Sequence, residues 1–154
     1  MRVFKRGHLL ARVSSVPPIW DIPVEKSGGV GVYKDILVVY KKNFEEVHDN
    51  ALATVRTVLD GFVSENIVRV DYTARETVRR ADFVGPDLVI VLGGDGTLTS
   101  IAHSIDDETP IMGVNSHPRM KDSDGSYGFY MGSDPDNFEE DIKTAMDGKA
   151  IVNV

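Results

Sequence analysis

The chain has 154 residues, 42% hydrophobic and 27% charged, with 14 glycines, 7 prolines and no cysteine. One domain is the natural count at this length, and a core of adequate size is within reach without staples. Without cysteine there are no disulfides, zinc ribbons, iron–sulfur clusters or thiol nucleophiles. A formal charge of −7 and a pI of about 5.0 argue against nucleic acid as a main partner. The longest apolar run, Leu88 to Leu92, is far short of the roughly 20 residues a membrane helix needs, so no membrane partner is expected.

The first segment carries Arg2, Lys5, Arg6 and Arg12 with no acid before Asp21. Two readings stand: an organelle transit peptide, or the blander one of a basic, partly disordered tail or an extra edge strand with Val3, Leu9, Leu10 and Val13. Pro17-Pro18, Pro23 and Gly28-Gly29-Val30-Gly31 follow as a run of breakers. Residues 1–33 are therefore expected to be a basic tail with a Pro/Gly linker, and residues 34–154 the folded domain.

From there strand and helix periods alternate. Ile36 to Tyr40 is a β-branched run suited to a strand buried on both faces. Asn43 with Glu46 predicts a capped helix whose apolar face is Phe44, Val47, Ala51, Val55, Val58 and Leu59. Ile67, Val68 and Val70 form a second strand. Thr73 with Glu76 repeats the capping pattern and predicts a short helix to about Ala81. Gly85-Pro86 breaks the chain before a third strand, Leu88 to Leu92, and Leu98, Ile101, Ala102 and Ile105 mark a helix opening near Thr97. Ile111 to Val114 is a fourth strand. Asp134 with Pro135 predicts the start of a last helix bearing Phe138, Ile142 and Met146, and Ile151-Val152 begins a further strand. The alternation predicts an α/β fold, a Rossmann-like parallel sheet flanked by helices.

Ligands of such sheets gather at the carboxyl ends of the strands. Gly93-Gly94-Asp95-Gly96-Thr97 sits at one of them. The glycines let the backbone turn tightly beside an anion, and the helix that follows offers N–H groups and the positive end of its dipole. A glycine turn alone serves structure, but an acid inside a phosphate loop implies a bound cation or a proton acceptor.

This pentapeptide resembles the GGDGT signature of the NAD kinase family, which diacylglycerol and sphingosine kinases share. Pro110-Ile111-Met112-Gly113-Val114-Asn115 resembles the P-I-x-G-(I/V)-N strand of NAD kinases, and Tyr127-Gly128-Phe129-Tyr130 stands in the place of their L-G-F. The stretch from His117 to Ser126 that separates the two resembles the mitochondrial and plant branch. The resemblance covers about residues 35–147. It implies transfer of a phosphoryl group from ATP, or polyphosphate, to the 2′-hydroxyl of the NAD adenosine ribose, with Mg²⁺. Asp95 is then the general base or a Mg²⁺ contact. Gly93, Gly94, Gly96 and Thr97 line the triphosphate, and Asn115 and Phe129 meet the bound nucleotides.

The family's second, β-rich domain has no counterpart before Val154, and no Asn-Glu or Asn-Asp pair stands where its ribose motif belongs. The chain alone is expected to bind nucleotide weakly and turn over little or no NAD. The full-length form is expected to be a homo-oligomer, cytoplasmic or alternatively mitochondrial. The alternatives are a non-catalytic nucleotide-binding or assembly module and a lipid kinase relative.

Outside the motif the candidates are sparse. His8, His48, His103 and His117 show no spacing that converges on a metal. His117-Pro118-Arg119 lies beside the expected substrate loop and is a candidate for a phosphate or ribose contact, against the alternative of an ordinary loop. Asp122 to Gly125 has a calcium-loop look, but Met120 and Met131 fall where carboxylates belong. Lys41 and Lys42 read as surface residues.

Overall fold

The computed structural model describes residues 33–42, 45–65, 67–118 and 131–148, together with the backbone of two short strands at 2–4 and 152–153. The strands are β1 (Arg2–Phe4), β2 (Asp35–Tyr40), β3 (Arg69–Ala74), β4 (Leu88–Gly93), β5 (Pro110–Asn115) and β6 (Val152–Asn153). The helices are α1 (Glu46–Ser64), α2 (Asp95–Ala102) and α3 (Phe138–Met146), with a 3-10 turn at Arg80–Phe83.

The six strands form one sheet in the order β3-β2-β4-β5-β1-β6. All pairs are parallel except β1 with β6. Strand β1 extends the sheet beside β5, with Arg2 opposite Pro110.

Every residue of β4 and β5 is buried, as are the four central residues of β2. Alternate side chains divide between two cores. Ile36, Val38, Ile90 and Met112 face Ala51, Val55 and Leu59 of α1 and Phe138 and Ile142 of α3. Leu37, Val39, Val89 and Val91 face Leu98 and Ile101 of α2 together with Phe83. Burial on both faces is why these strands read as unbroken apolar runs.

Chain direction fixes which helix covers which face. From β2 through α1 the chain moves outward to β3, whereas from β4 through α2 it moves the opposite way to β5. Right-handed crossovers running in opposite directions must place their helices on opposite faces, as the two cores show. The order reverses between β2 and β4, which makes a doubly wound sheet with its crevice at their carboxyl ends. At the amino ends, the Asp87 carboxylate accepts the backbone N–H of Lys34 at 2.9 Å and of Asp35 at 3.0 Å, clamping the starts of the same two strands.

Several boundaries depart from the sequence reading. The helix expected from Thr73 to Ala81 is absent: Thr73 and Ala74 complete β3 opposite Val39 and Tyr40, and Arg75 N–H reaches Tyr40 carbonyl at 2.8 Å. Only the single turn Arg80–Phe83 follows, with Arg79 N–H donating to Asp82 Oδ2 at 2.7 Å. The last helix opens at Phe138, because Asp134 accepts the backbone N–H and the side-chain amide of Asn137 in a preceding turn. The helix after β4 begins at Asp95, two residues before Thr97. Asn43 and Phe44 lie outside the described residues, and the N-cap of α1 is Glu45.

Candidate functional site

Strand β4 ends on Gly93, and Gly94, in extended backbone (φ −117°, ψ −174°), is the N-cap of α2. Its carbonyl accepts Thr97 N–H at 3.1 Å and Leu98 N–H at 3.2 Å, so the strand passes into the helix through one residue. None of the three glycines has the positive φ expected of a glycine turn; among the described residues that belongs to Gly85 and Gly148.

The reason for glycine at 93 is close packing instead. A Cβ there would lie 2.6 Å from Thr97 Oγ1 and 2.8 Å from Thr97 Cβ. Thr97 is itself only 3% exposed, so it has little room to yield. A Cβ on Gly96 would meet nothing within 4 Å. Position 93 therefore serves the fold, and position 96 keeps the outer surface of the first turn open. Asp95, half-buried, is the first residue of α2, where the helix dipole favours a negative charge.

The end of β5 is stitched to this turn. Ser116 N–H donates to Gly93 carbonyl at 2.9 Å, and Asn115, 6% exposed, accepts His117 N–H on Oδ1 at 3.2 Å. Asn115 N–H in turn donates to Ser133 carbonyl at 2.9 Å, and Ser133 Oγ donates to Asp141 Oδ2 at 2.6 Å, which ties α3 to the same corner. Gly93, Gly94, Asp95, Gly96, Thr97 and Asn115 thus occupy adjacent strand ends. Phe129, Tyr127 and the Asp122–Gly125 stretch lie outside the described residues.

Beside α2, a hollow of about 340 Å³ is lined by Arg75, Arg79, Arg80 and Phe83 on one side and Ser100 and Ser104 on the other. Three arginines line it, of which Arg75 is paired with Glu76 Oε1 at 3.3 Å.

A second cluster of polar groups was not legible in the sequence. His48 on the first turns of α1 and His117 just past β5 meet edge to face, with ring centroids 5.8 Å apart at 87°. Both approach one oxygen: His48 Nε2 is 3.7 Å and His117 Nδ1 3.9 Å from Glu45 Oε2. His48 Nδ1 hydrogen-bonds Ser116 Oγ at 2.5 Å across 68 residues of sequence. Burial lowers the His48 pKa, Lys41 and His117 add to that, and Glu45 and Asp49 oppose it. The histidine spacing in the sequence does not converge on a metal, and the fold nonetheless brings this pair into contact. Sequence spacing carried no sign of it, since the contact depends on where β5 ends. His103 is the C-cap of α2 and exposed, as a surface residue should be.

A doubly wound sheet with a glycine turn and a carboxylate beside its switch point defines an α/β protein whose ligand crevice lies at the carboxyl ends of its strands. Residues 33–150 match the family profile described as the ATP-NAD kinase N-terminal domain. The chain belongs to the NAD kinase family. It is similar to a protein of Arabidopsis thaliana named NADH kinase, 28% identical over 149 residues that cover 87% of this chain and 44% of the relative. A probable NADH kinase of Oryza sativa subsp. japonica is 34% identical over 86 residues, 47% of this chain and 26% of the relative. An NAD kinase of Chromohalobacter salexigens is 43% identical over 63 residues, covering 40% of this chain and 19% of the relative. The chain spans less than half the length of these curated relatives. Among the described residues no helix is long and apolar enough to cross a membrane.

Proposed function

We propose that the chain is the nucleotide-binding, N-terminal part (residues 34–154) of an NAD kinase that phosphorylates the 2′-hydroxyl of the adenosine ribose of NAD or NADH. The observation that carries this is the position of Asp95: a carboxylate opening α2 at the point where strand order reverses. In this reading Asp95 takes the proton of the 2′-hydroxyl as that oxygen attacks the γ-phosphorus. The bond from the γ-phosphorus to its bridging oxygen breaks, and ADP leaves. The open surface of Gly96 and the positive end of the α2 dipole hold the phosphates. Asn115 and Phe129 contact the bound nucleotides. The donor in this reading is ATP or polyphosphate.

Mg²⁺ enters with ATP as part of the substrate. The donor present in the turn, one carboxylate, fits the oxygen-only preference of that ion. Positioning and cation electrostatics carry most of phosphoryl-transfer catalysis, and a well-placed base adds about 10²–10⁴-fold.

The acidic body of the chain supports a cytoplasmic setting, with mitochondria the alternative given the basic residues before Asp21. A homo-oligomeric full-length form belongs to the same reading.

The test is formation of NADP or NADPH by the chain from ATP, Mg²⁺ and NAD or NADH, with Asp95→Asn alongside. We expect turnover slower than that of full-length relatives and a further loss of about 10²–10⁴-fold in the variant. ATP binding that is unchanged by Asp95→Asn, with no phosphorylated product before or after the substitution, would make the chain a non-catalytic nucleotide module.

A further inference from the structure

We propose that Glu45 Oε2, His48 Nε2 and His117 Nδ1 form a binding site for a divalent transition-metal ion of the zinc type, separate from any Mg²⁺ that accompanies ATP. Three observations carry it. The three ligand atoms lie within 4.8 Å of one another. Both nitrogens approach the same carboxylate oxygen at 3.7 and 3.9 Å, beyond hydrogen-bond length. Ligand atoms around a tetrahedral ion with bonds of about 2.1 Å stand roughly 3.4 Å apart, so the two nitrogen–oxygen separations need contract by only a few tenths of an ångström, and the two imidazole nitrogens, within 4.8 Å of each other, by about 1.4 Å at most.

The third observation is the support around His48. Its Nδ1 is engaged by Ser116 Oγ, which fixes the ring with Nε2 directed at Glu45 and His117. A metal-bound imidazole characteristically has its second nitrogen held in this way. The His48 and His117 side chains are only 10% and 16% exposed, whereas Glu45 is 61% exposed. The site is therefore walled by imidazole on the protein side and reached from solvent past a carboxylate.

Two nitrogens and one oxygen select zinc and its neighbours over Mg²⁺ or Ca²⁺, which prefer oxygen. Three protein ligands leave a fourth position for water or a ligand oxygen. Ser116 connects this site to the glycine turn, since its side chain holds His48 while its N–H holds Gly93 carbonyl. An ion here would pin the start of α1 to the end of β5, at the edge of the crevice.

Equilibrium dialysis of the chain against Zn²⁺ in excess Mg²⁺, and the visible spectrum of Co²⁺ bound in its place, test this without nucleotide. A failure here leaves the kinase reading untouched. We expect one Zn²⁺ per chain and the intense d–d absorption of a low-coordinate Co²⁺ site. Glu45→Gln and His117→Gln should each weaken Zn²⁺ at least tenfold and remove that absorption, while His103→Gln changes neither. Glu45 is exposed, so its variant keeps the fold, which far-ultraviolet circular dichroism checks. Absence of stoichiometric Zn²⁺, or affinity and spectrum retained in both variants, overturns the site.

Discussion

The Gly93–Thr97 turn and the Glu45–His48–His117 cluster are joined through Ser116, yet they are assembled in opposite ways. The turn is five consecutive residues set by one strand and one helix, its shape enforced by Thr97 pressing on Gly93. The cluster draws on the start of α1 and the end of β5, and exists only because the sheet brings those elements together. A contiguous site keeps its geometry wherever its own strand and helix form. A convergent site depends on the whole fold. Substitutions in the two should therefore fail differently.

The largest expected effect belongs to the turn. Asp95→Asn removes a proton acceptor without changing size, so turnover should fall by about 10²–10⁴-fold while thermal stability stays near that of the parent. A loss of stability as large as the loss of rate would mean that Asp95 is structural, and the comparison would lose its functional half.

Gly93→Ala comes next and acts on folding. Its Cβ would approach the Cβ of a buried Thr97 to 2.8 Å, and overpacking of this kind costs about 1–3 kcal/mol. Because Ser116 N–H binds Gly93 carbonyl, the displacement should pass to His48 and weaken Zn²⁺ as well. Denaturant unfolding and metal titration on the same variant show whether the two sites are coupled. Unaltered metal affinity in a destabilised variant would show that they are not.

What was readable in the sequence follows the same division. Strands β2, β4 and β5 were legible because burial on both faces writes itself as Ile36–Tyr40, Leu88–Leu92 and Ile111–Val114. The glycine turn was legible because all its parts are adjacent in sequence. Its physical cause was not: the glycines looked conformational, whereas the structure shows a steric demand at 93 and open space at 96. At Thr73 the local Thr-x-x-Glu capping signal lost to the ladder with Val39 and Tyr40, because pairing along a whole strand outweighs one side-chain cap. His48 and His117 show no relation in sequence. Only the position of α1 against the end of β5 brings them together.

Ser116→Ala probes the link with a smaller effect. It deletes the hydroxyl on His48 Nδ1 and leaves the backbone bond to Gly93 in place. Loss of such an outer partner lowers metal affinity about 10–100-fold. Zn²⁺ titration should show that drop, with ATP binding unchanged if the backbone alone holds the turn.

Gly96→Ala is the smallest in stability and the most discriminating. A Cβ at 96 meets nothing within 4 Å, and alanine is favoured over glycine in a helix by about 1 kcal/mol. The variant should unfold at the same or a slightly higher temperature, the reverse of Gly93→Ala. If phosphates approach the first turn of α2 at this open surface, the added methyl stands between them and the backbone, and ATP affinity should fall although the fold is firmer. Stability and binding would then move in opposite directions at 96 and together at 93, three residues apart on one turn. An ATP affinity that is unchanged in Gly96→Ala would move the phosphates elsewhere, with the arginine-lined hollow between the 3-10 turn and α2 as the next place to look.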